Sequence, residues 1–240
     1  MKLDYFQEKS IEYVKKGNSL MVCAPTGAGK TLIAEELIKH CLRNGEGVIY
    51  TAPIKALSNQ KYRDFVEGFG HENVGIITGD VSINPASKII IMTTEIFRNH
   101  ILQSPKKLED KTWVIFDEIH YLDDMERGTV WEESLVMLPQ HMNFLALSAT
   151  VPNAVQIVEW LKNVLHKPVK LVVHLKRPVP LSFYFQCHNK IVSDFKKLEY
   201  IFKKMPLYRF KPNRVVDLVR HLQDSGRLPC IYFSFLLRDR

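Results

Sequence analysis

The chain has 240 residues, 46% of them hydrophobic, and its 33 Lys and Arg outnumber 26 Asp and Glu for a net charge of +7. That length allows one large α/β domain or a domain plus part of another, and that apolar fraction excludes a disordered chain. The charge is compatible with a polyanionic partner, though many enzymes without one are equally basic.

No apolar run reaches the ~18 residues of a membrane span. The polar, mixed-charge start MKLDYFQEKS does not read as a signal peptide. Cys23, Cys41, Cys187 and Cys230 include no CxxC pair and suit neither a zinc site nor a disulfide framework. Free thiols in a reducing compartment are expected, hence a cytoplasmic protein (nuclear as well if eukaryotic) with no membrane partner.

In chain order, SLMVCA (19–24) reads as a strand and KTLIAEELIKHCLR (30–43) as a helix. GVIYTA (47–52) is a strand and KALSNQKYRDFVEGF (55–69) a helix. VGIIT (74–78), KIIIMTT (88–94), WVIFDE (113–118) and NFLALSAT (143–150) are further strands, with helical segments between most of them. Several strands are apolar throughout, which suits a sheet covered on both faces. The alternation predicts an α/β fold with a doubly wound, mostly parallel sheet, whose ligands sit beyond the carboxyl ends of the strands. After residue 165 the rhythm changes. PVKLVVHLKRPVPLSFYF (168–185) reads as two extended segments around a proline-marked turn, and KIVSDFKKLEYIFKKM (190–205) as a basic helix. PNRVVDLVRHLQDSGRLPCIYFSF (212–235) restarts a helix-strand pattern.

Directly after the first strand comes APTGAGKT: Ala24, Pro25, Thr26, Gly27, Ala28, Gly29, Lys30 and Thr31. The spacing is that of a Walker A phosphate loop, with Ala24 where the strict motif has glycine. Glycines let backbone N–H groups turn inward around phosphate oxygens, and the helix N-terminus adds partial positive charge. Lys30 is expected to reach the terminal phosphates and Thr31 to place its hydroxyl on Mg²⁺. The alternative is a glycine-rich turn with an incidental lysine; strand before and helix after favour the phosphate loop.

WVIF then runs straight into Asp117 and Glu118. With a nucleoside triphosphate over the first strand, a neighbouring strand must present a carboxylate to the metal. Asp117 fits that place, and Glu118 fits the base that orients and deprotonates the attacking water. A calcium loop lacks its glycine, Asp124 stands where an HExxH zinc helix needs its second histidine, and glycosidase carboxylates are not adjacent residues.

APTGAGKT, DEIH and SAT (148–150), with TAPIKALSNQKY, ITGD, MTTEIFRN, ERGTVWEE and LDYFQEKSI, occur in the order found in superfamily-two DExH-box helicases. Over about residues 3–165 the chain resembles the superkiller-type RNA helicases that feed RNA to the exosome. The resemblance implies a first RecA-like lobe (1–166), a connector (167–211) and an incomplete second lobe (212–240). It implies ATP and Mg²⁺ as cofactors, Gln7 on adenine and Phe6 packing near the base. Gly27, Gly29, Lys30 and Thr31 would hold phosphates and Mg²⁺. His120, Ser148 and Thr150 would couple nucleotide state to RNA grip, and Pro53, Lys55, Gly79, Asp80, Thr93 and Thr94 would border the nucleic-acid track.

Simpler roles stand beside these. Phe6 would be a core aromatic, His120 a structural histidine, Ser148, Thr150, Thr93 and Thr94 helix caps, and Lys55 a solvated lysine. Track residues of these types grip phosphate and sugar, so binding would ignore sequence and weaken with salt. RNA is preferred over DNA by resemblance alone, as is an exosome-type complex. The later arginine motif of the second lobe is not found; Arg238 and Arg240 match no motif. A piece of a longer motor is therefore expected, nearly inactive alone. A DNA helicase of the same superfamily and a non-catalytic nucleotide-binding module are the competing readings.

Overall fold

The structure, a computed structural model, describes residues 3–120, 128–187, 190–204 and 214–233. It divides into two compact units, Met1–Val179 and Pro180–Arg240.

The first unit begins with helix α1 (Tyr5–Lys15), followed by β1 (Ser19–Cys23), α2 (Lys30–Arg43), β2 (Gly47–Ala52) and α3 (Lys55–Phe69). Then come β3 (Val74–Ile77), β4 (Ser82–Ile83), β5 (Ile89–Thr93), α4 (Thr94–Gln103) and β6 (Lys111–Phe116). It continues through α5 (Gly128–Val136), β7 (Asn143–Ser148), α6 (Ala154–Leu165) and β8 (Val169–Val173). The strands form one sheet in the order β4-β3-β5-β2-β6-β7-β1-β8. Every pairing is parallel except that of β4 on β3.

The all-apolar strands are explained by what covers them. β1, β2 and β5 are buried at every position. Alternate residues feed two separate cores. One packs Leu20, Val22, Val48 and Ile115 against Phe6, Ile33, Leu37 and Phe65 of α1, α2 and α3. The other packs Met21, Ile49, Val114 and Phe144 against Phe97, Trp131, Val158 and Leu161 of α4, α5 and α6. This is the doubly wound α/β sandwich that the alternation predicts, and it brings all the parallel strands' carboxyl ends to one edge.

Several features differ from the sequence reading. No element was expected at α1, although Gln7 closes its first turn by accepting from the Asp4 N–H at 2.9 Å. β8 lies past the expected lobe boundary at 166, yet pairs in parallel along all of β1, so the sheet continues to Val173. Its half-exposed pattern is that of an edge strand.

In the second unit, β9 (Phe185–Cys187) and β10 (Lys190–Val192) form an antiparallel pair, followed by α7 (Phe195–Lys204) and α8 (Val215–Asp224). The single basic helix expected over 190–205 is thus a short strand and then a helix. Lys190, Ile191 and Val192 pair across to Cys187, Gln186 and Phe185, a β-branched pair that propensity favours in a strand. The strand expected in CIYFSF is absent among its described residues, which end at Phe233. MPLYRFK, Arg238 and Arg240 lie outside the described residues.

Candidate nucleotide site at the strand ends

β1 ends at Cys23 and the chain turns through Ala24–Gly29 into α2. Gly27 and Gly29 sit at φ +81° and +85°, a backbone conformation that L side chains rarely adopt. Gly29 is constrained twice, because a Cβ there would stand 2.6 Å from Gln7 Nε2. The Lys30 amine donates to Ala24 O at 2.9 Å and Pro25 O at 3.3 Å, which holds it against the mouth of the loop. The loop is also tied to the next strand end, since Ala24 N–H donates to Ser148 O at 3.1 Å.

Gln7 braces the loop from α1. Its Nε2 donates to Gly29 O at 3.2 Å and Ala28 O at 3.4 Å, while its Oε1 accepts from Asp4. Phe6 is a core residue only 4% exposed, so the simpler of its two readings describes its packing.

Asp117 follows β6, two strands from β1. Its backbone N–H donates to Thr51 O at 3.1 Å, and its Oδ1 accepts from the Glu118 N–H at 3.1 Å. Its Oδ2 accepts from the Tyr50 hydroxyl at 2.5 Å. Burial, then the Asp117 charge, pushes the Tyr50 phenol well above its ordinary range, so it stays a proton donor. Two donors, one on each oxygen, thus hold the carboxylate and leave one lone pair on each oxygen. Tyr50 was missed by sequence reasoning. The signal was there: a tyrosine in the middle of an otherwise apolar buried strand needs a partner for its O–H.

Glu118 takes the left-handed conformation, φ +58°, which costs a non-glycine residue on the order of 1–2 kcal/mol. That turn carries its carboxylate to 3.3 Å from His120 Nδ1. The same nitrogen lies 3.5 Å from the Ala149 N–H. A deprotonated Nδ1 accepts from Ala149 and a protonated one donates to Glu118; that nitrogen serves one of these two contacts at a time. His120 therefore stands between the DEIH turn and the SAT turn. Ser148 and Thr150 do not cap α6, whose N-cap is Asn153. The Ser148 hydroxyl is buried without a partner among the described residues, and Thr150 is exposed.

The other expected residues fall on the far side of the same edge. Pro53, Lys55, Gly79 and Thr93 line one concavity of about 380 Å³ with Ile54, Glu95 and Ile96. Lys55 and Asp80, both exposed, form an ion pair across its rim. Thr93 is the N-cap of α4 without a side-chain capping bond, and the Thr94 hydroxyl is buried and unpartnered among the described residues. Arg98 and Glu133, from the MTTEIFRN and ERGTVWEE stretches, pair at 2.9 Å between α4 and α5. Those stretches thus also fasten two helices together. Residues 126–127 lie outside the described residues.

A glycine-bent strand-to-helix loop with its lysine, and a clamped carboxylate two strands away at the same strand-end edge of a parallel sheet, form the arrangement expected of a P-loop nucleotide site. Residues 4–158 match the DEAD/DEAH box helicase family, and the chain belongs to that family. It is 46% identical over 190 residues to antiviral helicase SKI2 of Saccharomyces cerevisiae, a match covering 79% of this chain and 15% of that protein. It is 48% identical over 182 residues to ATP-dependent RNA helicase mtr4 of Schizosaccharomyces pombe, covering 76% of this chain and 16% of that one. Superkiller complex protein 2 of Homo sapiens is 46% identical over 186 residues, covering 78% and 15%. The chain thus spans about a sixth of the length of these relatives. A crystal structure of the DUF1998 helicase MrfA bound to DNA shares the fold, with a TM-score of 0.59 and 22% identity over 72% of this chain and 27% of that one.

Proposed function

We propose that the chain carries the ATP-binding lobe of an ATP-dependent RNA helicase that acts in RNA processing or decay. The observation that carries this reading is the shared strand-end edge. Lys30, the clamped Asp117, the strained Glu118 and the His120–Ala149 contact all lie where β1, β6 and β7 end. In this reading residues 24–31 cradle the phosphates, and Thr31 and Asp117 hold Mg²⁺. Asp117 suits that role because its carboxylate is already oriented by two donors. Mg²⁺ held by these residues would supply positive charge against the phosphate oxygens. Among the described residues no group of three or more His, Cys, Asp or Glu forms a metal cage, and Mg²⁺ held through one or two carboxylates plus phosphates needs none.

Glu118 orients and deprotonates the attacking water. His120 passes the change to the SAT turn by switching its Nδ1 partner. Gln7 sets the height of the loop and reads adenine with what its amide has left. The nucleic-acid track runs through the concavity of Pro53, Lys55, Gly79 and Thr93, with Asp80 holding Lys55 at its rim and Thr94 behind it. Residues 212–240 open a second lobe, and an exosome-type complex is the partner suggested by the name of one further relative, exosome RNA helicase MTR4 of Mus musculus. No helix among the described residues is long and apolar enough to cross a membrane.

A DNA-directed motor is the second reading. With both lobes present, single-stranded RNA is expected to raise the ATP hydrolysis rate severalfold. DNA of the same sequence should neither replace it nor compete at equal concentration. Stimulation should weaken with a slope of about 0.7 log units per phosphate contact per tenfold salt. Equal stimulation by the two polymers would favour the DNA reading, and none by either would remove the motor reading.

A further inference from the structure

We propose that the segment leaving β8, His174–Pro178, is a wall of the nucleotide pocket, and that His174 supplies the ring face on which the nucleobase stacks. This rests on the ATP-binding reading above.

Three contacts place the segment. The His174 N–H donates to Cys23 O at 2.8 Å, so β8's pairing with β1 continues one residue beyond the strand, to the start of the phosphate loop. The His174 ring stacks on Phe6 with centroids 4.4 Å apart and planes 20° from parallel. Four residues on, Pro178 Cγ lies 3.7 Å from where a Cβ on Gly27 would stand. The strap therefore runs close beside the pocket at both ends. One end lies beside Phe6 and Gln7, where the base would lie, and the other is against the glycine turn that would cradle the phosphates.

The choice of ring follows from burial. Phe6 belongs to the sheet core and is covered by His174, so it has no face to offer. His174 is only half-buried and is the outer member of the stacked pair. A flat heteroaromatic ring packed on a rigid aromatic neighbour suits any base, because every base has a π face. Between the two contacts, Lys176 and Arg177 are exposed and add two positive charges next to the loop. The strap is also the last stretch of the first compact unit, which ends at Val179, so a base seated on His174 would order the chain just before it passes into the second unit.

The test compares Mg²⁺–ATP with Mg²⁺–tripolyphosphate, which has the phosphates and no base, by calorimetry on the 240-residue protein. His174→Ala is expected to weaken ATP binding about tenfold, the order of effect of removing one base-stacking ring, and to leave tripolyphosphate unchanged. His174→Phe should keep most of the ATP affinity. Should His174→Ala fail to fold, His174→Leu, which fills space without a π face, carries the same comparison. Lys30→Ala should weaken both ligands. If the histidine variants bind ATP like wild type while Lys30→Ala loses both ligands, the strap assignment is wrong and the nucleotide site stands. Equal loss of both ligands in His174→Ala, or loss of ATP in His174→Phe, also overturns it. If wild type binds neither ligand, the underlying ATP reading fails.

Discussion

Glu118→Gln is expected to lower ATP hydrolysis by about 10²–10⁴, the usual contribution of a positioned general base, while ATP affinity stays within about twofold. The geometry sets the sign. Glu118 is held in a left-handed backbone conformation, which a sequence pays for in stability. What the turn gains is a carboxylate at the end of β6, beside Asp117 and 3.3 Å from His120. Glutamine keeps the shape and the hydrogen-bonding reach and removes only the basicity. The melting temperature should therefore not move. Single-turnover hydrolysis with both lobes present, read beside a direct ATP-binding measurement, checks both halves. An unchanged hydrolysis rate would reassign the base.

Gly75→Ala is expected to be the most damaging single-methyl change in the first unit. Gly75 lies on β3, buried, and a Cβ there would stand 2.1 Å from Asn84 O and 2.9 Å from Ile83 O. Both obstacles are backbone and belong to the β4 return, which pairs Ile83 with Ile76. Relief requires β4 to move off β3, because no side chain can rotate away. Overpacking of this kind costs about 2–3 kcal/mol, roughly a 5–10 °C fall in melting temperature for a unit of this size. Gly68→Ala supplies the opposite sign. Its Cβ would meet nothing within 4 Å inside α3, so it should stabilise by up to about 1 kcal/mol through helix propensity. Urea denaturation of the two variants side by side checks the pair.

The regular parts of this fold were legible because their signals are local. KTLIAEELIKHCLR and KALSNQKYRDFVEGF become α2 and α3 with the expected bounds, and the apolar runs become buried strands. Period and apolar continuity carry that much. What was hidden depends on partners distant in sequence. α1 looks polar until Gln7 is seen serving both its own first turn and the loop at Ala28 and Gly29. β8 reads as an extended segment, but its place in the main sheet is hidden because only one of its edges pairs, and that edge belongs to β1 some 150 residues earlier. The error over 190–205 has the same origin. Lys190–Val192 is a strand only because Phe185–Cys187 lies across from it.

The candidate site was legible in its motifs and opaque in its supports. Gly27, Gly29, Lys30, Asp117 and Glu118 announce themselves by spacing, whereas Tyr50 acts from another strand. Its role appears only when β2 and β6 pair, with Tyr50 opposite Ile115 and Asp117 two residues further on the same face. The same pairing logic explains His120, whose second contact, Ala149, comes from the next strand's end.

The central claim is that a triphosphate and one Mg²⁺ are shared between the Lys30–Thr31 loop and Asp117. The most direct measurement is ATP affinity with and without Mg²⁺, in wild type and in Asp117→Asn, by calorimetry on the 240-residue protein. Wild type should bind ATP more tightly with Mg²⁺ than without, and Asp117→Asn should lose most of that increment, through a loss of about tenfold or more in metal affinity, while keeping the metal-free affinity. An Asp117→Asn protein that still gains the full increment from Mg²⁺ would contradict the account.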